Sequence, residues 1–404
     1  MKKILIFSLN YYPRFIGGAE VAIKEITDRI AAEEIEFHMV TLRFDSRLPK
    51  IEKIGNVLVH RIGFSKPNAT IAALKKFPLH LNKYFYQFFA AGYAAKLHRK
   101  EHYDATWAMM AHACAIPAGS FKKRYPHVKY LLTLQEGDPP EYIERMMKPV
   151  WPLFKQGFTR ADALQPISNF LLSWGKRMGF TGTAQVIPNA VDTGKFGASF
   201  APETISAMKK KLGKKEGEVF LVTTSRLVHK NAVDAVIRAL PLLPENVSFL
   251  IYGIGPDEAM LRALAKELGV ESRTRFKGEI AHADMPLMLA SSDIFIRPSR
   301  SEGMGNSFIE AMAVGIPVIA TQEGGIADFL FDAERNPERQ PTGWAVDVDS
   351  PEHIAHAVER IRSSPDAVRM TIANARALVF EKYDWDRIAD TMRSLFYELM
   401  DDAS

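Results

Sequence analysis

One pattern, met twice along the chain, does most to narrow what this sequence can fold into. Short apolar runs rich in Val, Ile, Leu and Phe alternate with segments whose apolar residues recur at helical spacing. In the first half, 3–9, 36–42, 56–62, 104–109, 128–134, 161–168 and 184–188 read as strands, and 20–32, 82–100 and 168–178 as helices. In the second half, strands are expected at 218–225, 247–253, 273–278, 293–299, 317–321 and 343–349, with helices at 231–240, 257–268, 284–291 and 352–362. Strands that are apolar on both faces must be covered on both faces, so the alternation implies parallel sheets with helices on each side. At 404 residues the chain also exceeds one ordinary core. The expected fold class is α/β: two Rossmann-like, doubly wound parallel-sheet domains in series. Their join is expected near 190–203, a stretch rich in small and turn-forming residues. Ligands of such sheets sit beyond the carboxyl ends of the strands, and two such domains facing each other would leave a cleft there. The loops that follow strands are where chemistry is to be sought.

Charge divides the chain in the same place. Residues 1–200 carry 28 Lys+Arg against 16 Asp+Glu, a balance of +12, whereas residues 201–404 carry 24 against 31, a balance of −7. The first half therefore suits an anionic partner. A lone cysteine, Cys114, excludes an internal disulfide framework and fits a reducing compartment. The opening MKKILIFSL has two lysines and an apolar run, but the run is short for a secretory leader and reads as a buried first strand. No apolar run approaches the roughly 18 residues of a membrane span. A cytoplasmic location is expected.

The most informative stretch is 297–320, RPSRSEGMGNSFIEAMAVGIPVIA. A strand leads into it, a helix begins within it, and a Gly-Ile-Pro stop returns the chain to the next strand. Residues 301–306 thus join a strand's carboxyl end to a helix N terminus, where unpaired backbone N–H groups and the helix dipole favour phosphate. Gly303 and Gly305 allow close approach. Glu302 and Glu310 stand eight residues apart on either side of this turn, placed to accept hydrogen bonds from sugar hydroxyls. The arrangement suits a diphosphate flanked by two polyols, as in a nucleotide sugar. Two plainer readings stand beside it. Ser307 and Glu310 fit a capping box, in which Glu310 serves only the helix start, and Glu302 fits a solvated loop acid.

In its full length, SEGMGNSFIEAMAVGIPVIAT resembles the signature of retaining GT-B glycosyltransferases of family GT4 (glycosyl transferase group 1), in which two glutamates separated by seven residues grip the donor. The likeness continues, in the family's order, through NYYPRFIGGAE (10–20), ISNFL (167–171), QVIPNAVD (185–192), TSRLVHKNAVDAVIRAL (224–240) and LIYGIGPDEAMLRALAKELGVESRTRFKGEI (250–280). The resemblance implies an acceptor-binding domain over 1–195, a nucleotide-sugar donor-binding domain over 196–382, and a C-terminal helix, 383–404, that returns to the first domain. It implies that Glu310 binds the ribose and that Glu302 faces the donor sugar. Gly303, Met304, Gly305, Asn306 and Ser307 would lie near the sugar and phosphates. Arg226 and Lys230 would clamp the diphosphate, unless they are solvated cations. Gly17 and Gly18 would close over the same phosphates, or merely end a turn. Gly253 and Gly255 would shape the adjoining loop, and Phe276, Lys277, Gly278 and Ile280 lie where the family reads the base. The implied activity is hexosyl transfer with retention, from a UDP- or GDP-sugar to a glycan, lipid-linked or small-molecule acceptor in cell-envelope polysaccharide or glycolipid synthesis. The departing phosphate would take the acceptor proton, so neither a side-chain nucleophile nor a cofactor is required.

Two places depart from the family's pattern. After Asp104 the family often shows D-x-x-H-x-H, but the first histidine here is His112. Later, Gln135 and Glu136 stand where His-Asp is common. His112, Glu136 and Asp138 are therefore the candidates for contact with a sugar. Each has a structural alternative, as an ordinary histidine at a helix start or as helix-capping acids. The same three residues would furnish the acid/base pair of a nucleotide-sugar epimerase or hydrolase, and the missing histidines leave open a catalytically silent nucleotide-sugar-binding subunit. Asp347-Val-Asp349 mimics a metal-binding D-x-D, but Asp349-Ser350-Pro351-Glu352 reads as a helix cap, and no metal is expected.

One more segment stands out. Residues 66–100 hold seven Lys+Arg and no acid, interleaved with Phe and Tyr. Such a stretch is a candidate for peripheral contact with an anionic membrane surface. The plainer reading is a long helix with its aromatics in the core. No nucleic-acid motif accompanies it, and no nucleic-acid partner is expected.

Overall fold

The computed structural model describes residues 1–14, 16–69 and 73–401, without the side chain of Lys75. The chain separates into two units, one made of residues 1–189 together with the chain from Trp385 onward, the other of Ala190–Asp384. The two ends of the second unit run side by side: Val191 and Asp384 form an isolated parallel bridge, and the Val191 N–H donates to the Tyr383 carbonyl at 2.9 Å.

The first unit is built on β1 (Lys2–Phe7), β2 (Ile35–Leu42), β3 (Ile51–Ile54), β4 (Val57–Ile62), β5 (Ala105–Met109), β6 (Lys129–Leu134), β7 (Ala163–Pro166) and β8 (Thr183–Ala184). These lie in the order β3-β4-β2-β1-β5-β6-β7-β8, all parallel except the edge strand β3. Ile4, Leu5, Ile6 and Phe7 of the central β1 are wholly buried, as a strand covered on both faces requires. The final helix, Trp385–Asp401, belongs to this core: Phe396 packs edge-on against Trp107 and Phe37, with centroids 5.1 and 5.9 Å apart.

The second unit carries β9 (Val219–Thr224), β10 (Val247–Tyr252), β11 (Thr274–Gly278), β12 (Ile294–Arg297), β13 (Val318–Ala320) and β14 (Trp344–Ala345). The order is β11-β10-β9-β12-β13-β14 and every pairing is parallel. Leu221, Phe249, Ile251 and Ile294 meet Val236 and Leu261 from the covering helices in one apolar core.

Two expected strands shrink. Of the run 184–188 only Ala184 lies in a strand, Thr183–Ala184, because its neighbour β7 ends in Pro166, which has no N–H to continue the ladder. The run 343–349 keeps only Trp344–Ala345, since Asp349 turns into left-handed backbone at φ 54° and Ser350 caps the next helix. Among the described residues, no helix is long and apolar enough to cross a membrane.

Candidate functional site

In the second unit, β12 ends at Arg297 and the chain turns through 301–305 into the helix Asn306–Val314. Gly305 occupies the position before the helix at φ 85°, and no side chain among the described residues caps that N terminus. Ser307 and Glu310 therefore form no capping box, and that alternative falls. The Ser307 hydroxyl instead accepts from Arg297 Nη1 at 2.8 Å. Arg297 also donates through Nη2 to Glu302 Oε2 at 2.9 Å, and its guanidinium lies 4.2 Å from the Phe308 ring centroid. The second Glu302 oxygen, Oε1, accepts from the Gly303 N–H at 3.1 Å. Glu302 is thus a fixed acid in a nearly closed setting, and the solvated-loop reading falls too.

Two glycines make the turn possible. A Cβ on Gly305 would stand 2.5 Å from Arg297 Nη2, and one on Gly324 would stand 2.0 Å from the Glu302 carbonyl. That carbonyl accepts from the Gly325 N–H at 3.0 Å, which holds the loop from its other side.

Arg297 is 7% exposed and its Nε has no hydrogen-bond partner among the described residues. Burial lowers its pKa from the usual arginine value; Glu302 and Glu310 oppose that shift, and Arg226 adds to it. Around it, the buried hydroxyls of Thr223, Thr224, Ser225 and Ser299, at the carboxyl ends of β9 and β12, also lack hydrogen-bond partners among the described residues. Buried polar groups are normally hydrogen-bonded, so these strand ends carry hydrogen-bonding capacity that the described residues do not use. Glu310, a buried residue inside the helix, lies 3.2 Å from Nε2 of the exposed His282.

Arg226 follows β9, is exposed, and has no hydrogen bond or ion pair to its guanidinium among the described residues. Its carbonyl is pinned by Asn231 Nδ2 at 2.7 Å. Lys230 lies in the short 3-10 turn His229–Asn231, and its carbonyl accepts from the Arg300 N–H at 2.7 Å. Gly253 and Gly255 allow close backbone contact: a Cβ on each would come 1.8 and 2.1 Å from the carbonyls of Ser225 and Leu227. The Gly253 N–H donates to the Gly278 carbonyl at 2.8 Å. This places the end of β11 beside that loop, with Phe276 under the Arg262 guanidinium at 4.2 Å, Lys277 exposed and Ile280 half-buried. Gly303 and Met304 are buried, whereas Gly305, Asn306 and Ser307 are half-buried.

In the first unit, Glu136 and the Gly17 N–H are already engaged, whereas Asp138 and Gly18 are not. Glu136 is buried; its Oε1 accepts from the His112 N–H at 3.2 Å and its Oε2 from the Gln135 N–H at 3.0 Å. His112 is the second residue of the helix Ala111–Arg124, so Glu136 satisfies one of that helix's unpaired N–H groups. His112 Nδ1 stands 3.5 Å from Glu136 Oε1 without hydrogen-bond geometry. Asp138 is exposed and does not cap the helix Pro140–Met147, which Pro139 precedes. The Gly17 N–H donates to Glu20 Oε2 at 2.7 Å, so it is engaged within its own helix start, while a Cβ on Gly18 would meet nothing within 4 Å among the described residues.

Asp347 and Asp349 answer different cations. Asp347 lies 2.8 Å from Arg335 and 3.1 Å from His353; Asp349 lies 2.6 Å from Arg300. Ser350 caps the helix Pro351–Ser363 by accepting from the His353 N–H. Among the described residues, metal-ligand spacing is met by Glu36, His38 and Glu101 in the first unit, where the Lys3 ammonium already lies 3.2 and 3.0 Å from the two carboxylates.

Sequence reasoning missed Arg297 and His282. An arginine closing the otherwise apolar run IFIR was a signal for the first; His282 offered none.

Two doubly wound sheets in series, with a glycine turn between two acids at a helix N terminus, define the class: a GT-B glycosyltransferase. The comparisons agree and give the family. The model described as "Glycosyl transferases group 1" matches residues 204–378 and the one described as "Glycosyltransferase Family 4" matches residues 16–195, so the chain belongs to the group 1, GT4-type glycosyltransferases. An uncharacterized glycosyltransferase of Methanocaldococcus jannaschii is 24% identical, over 96% of each chain. A GDP-mannose-dependent alpha-(1-6)-phosphatidylinositol monomannoside mannosyltransferase of Mycobacterium tuberculosis is 30% identical over 56% of this chain and 60% of its own. Among solved structures, sucrose-phosphate synthase from Thermosynechococcus elongatus superposes with TM-score 0.81 at 20% identity, covering both chains in full. Anabaena HepE in complex with UDP-glucose gives 0.77 at 19% identity, over 98% of this chain and 100% of its own.

Proposed function

We propose that this chain is a retaining hexosyltransferase that moves a sugar from a UDP- or GDP-sugar to a glycan, lipid-linked or small-molecule acceptor, in cell-envelope polysaccharide or glycolipid synthesis. The observation that carries the reading is the turn 302–305: an uncapped helix N terminus with one acid fixed by Arg297 before it and a second, Glu310, beside His282 after it. Glu310 takes the ribose, Glu302 the donor sugar, and the turn's backbone N–H groups the phosphates. Arg226 and Lys230 add positive charge where the nucleoside diphosphate departs, so positioning and electrostatics supply the catalysis and the leaving phosphate takes the acceptor proton. No resident metal or other cofactor enters this reading. The donor class is supported by the UDP-glucose complex of HepE, and a lipid-linked acceptor by the activity named for the mycobacterial relative.

A membrane surface fits the first unit. Phe77, Tyr84, Phe88 and Phe89 are 73, 67, 56 and 59% exposed, and Lys76 and Lys83 are exposed among them. The helix Asn82–Glu101 is anchored by its other face, where Tyr86, Ala90 and Ala94 are buried, so these aromatics are not needed for its packing. Aromatics with lysines and no acid suit the inner, anionic face of a bilayer.

Incubation with UDP-glucose or GDP-mannose, with and without glycan or glycolipid acceptors, tests the enzymatic reading. Slow nucleotide release alone and fast release with acceptor are expected, with the donor's anomeric configuration kept in the product. Interconversion of the donor without acceptor would make the chain an epimerase. Binding without turnover under any acceptor would make it a silent subunit.

A further inference from the structure

Resting on that donor-site reading, we infer that Arg297 is a positioning residue of the transfer: its buried guanidinium ties together the two ends of the 303–306 turn and so sets Glu302 against the turn's N–H groups. Glu302, just before the turn, takes Nη2 at 2.9 Å; Ser307, just after it, takes Nη1 at 2.8 Å. One planar, pre-organised fork therefore fixes both ends of a four-residue loop, a geometry an ammonium cannot copy. Gly305 lies directly on the guanidinium, as the 2.5 Å approach of its virtual Cβ shows, and Phe308 covers the group at 4.2 Å. Arg297 is thus the floor of the turn as well as its clasp.

Stability does not account for it. The rest of β12 is Ile294, Phe295 and Ile296, all buried, and an apolar fourth residue would continue that run. Exchanging a buried ion pair for apolar groups of similar volume is often neutral or stabilising, so such a pair is weak evidence of a folding role. What the pair gives is a carboxylate held at both oxygens, Oε2 by Arg297 and Oε1 by the Gly303 N–H. Fixed placement of that kind governs turnover more than ground-state binding of the nucleotide.

The test uses the full chain with UDP, GDP and the active donor, in Arg297→Met, Arg297→Lys, Glu302→Gln and the Arg297→Met/Glu302→Gln double variant. Arg297→Met is expected to lower kcat about a hundredfold, the scale of a 1 Å misplacement, while nucleotide Kd and donor KM stay within about threefold of wild type. Arg297→Lys should recover about tenfold of the loss, since it keeps the charge without the fork. The double variant should turn over no more slowly than Glu302→Gln by more than about threefold, because the two residues act as one unit. Losses that multiply in the double variant, or an Arg297→Lys enzyme with full turnover, would overturn the inference. So would a nucleotide Kd that weakens in step with kcat, which is the mark of a merely structural role. If Arg297→Met fails to fold while the double variant folds, the lone acid is the cause and the comparison of the double variant with Glu302→Gln decides. If neither folds, Arg297 is a core residue and the inference fails. Wild-type turnover in Glu302→Gln would instead overturn the donor-site reading itself.

Discussion

Replacing Gly305 with alanine tests whether the turn is packed as described. Gly305 holds φ 85°, and a Cβ there would lie 2.5 Å from Arg297 Nη2 and 2.6 Å from the Phe308 ring. Two costs combine. A residue with a side chain in left-handed backbone costs about 1–2 kcal/mol, and forcing an extra group into a filled site costs about 1–3 kcal/mol more. Gly269 separates them, for its φ is 68° but nothing lies within 4 Å of its virtual Cβ. Gly269→Ala should thus destabilise the second unit by about 1 kcal/mol and Gly305→Ala by about 2–5 kcal/mol. In a domain of this size each kcal/mol moves Tm by about 2–4 °C, so Gly305→Ala should melt roughly 5–15 °C below wild type. Calorimetry of the ligand-free chain reads the shift, and turnover should fall about a hundredfold as the N–H groups leave their places. Melting within a degree or two of the Gly269→Ala variant, with turnover kept, would refute the packing argument.

Glu310→Ala should weaken UDP or GDP binding about 10- to 100-fold, the scale of a charge-assisted hydrogen bond, whereas Glu302→Ala should mainly lower turnover; titration calorimetry beside kinetics checks both, and normal behaviour in both would end the two-polyol reading. EDTA should leave activity unchanged, and a complete loss restored by a divalent ion would sink the metal-free mechanism. The chain should cosediment with anionic vesicles but not neutral ones, with about 1 kcal/mol per lysine at the surface and steep weakening in salt. Lys76→Gln with Lys83→Gln should reduce this without changing nucleotide affinity (Lys75, the third lysine of the cluster, has its side chain outside the described residues), and a wild-type protein left in the supernatant at low salt refutes the membrane surface. His60 is buried with neither ring nitrogen hydrogen-bonded among the described residues, and burial, with the nearby His38, pushes its pKa from 6.5 to about 4. The unfolded chain therefore takes up this proton first, so stability present above pH 6.5 is lost as pH falls toward 4, by up to roughly 3 kcal/mol; urea midpoints at pH 7 and 5 should show the loss, and a His60→Leu variant should show less of it.

The acids around the turn show how far local reading reaches. That 301–306 joins a strand to a helix was legible, because Gly, Pro and the change of apolar period are properties of neighbouring residues. The part played by Glu310 was not. A capping box and an open acid need the same letters, and the choice fell to Gly305, whose backbone takes the position before the helix. Glu136 is the reverse case: it looked available for a ligand, yet it serves the N–H of His112, 24 residues away in sequence.

The helix Ala111–Arg124 was read only as one alternative for His112, its extent unmarked, for a related reason. It is mostly small residues with Pro117 inside and is buried nearly all round, so no amphipathic stripe marks it. The helices Pro202–Leu212 and Pro365–Lys382, each opening on a proline at its first turn, also passed unread.

What the sequence by itself determined is whatever follows from period and breakers: two sheets parallel but for the unread edge strand β3, their strand ends, and a glycine turn between two acids. Local steric and hydrophobic rules act within a few residues and leave their mark there. Only the tertiary structure decided which polar groups are already spent. It gave Glu136 to a distant helix start, and it set Arg297 under the turn and His282 beside Glu310. Those pairings join residues that the packing of strands and helices brings together, and a buried charge finds its partner in space rather than along the chain.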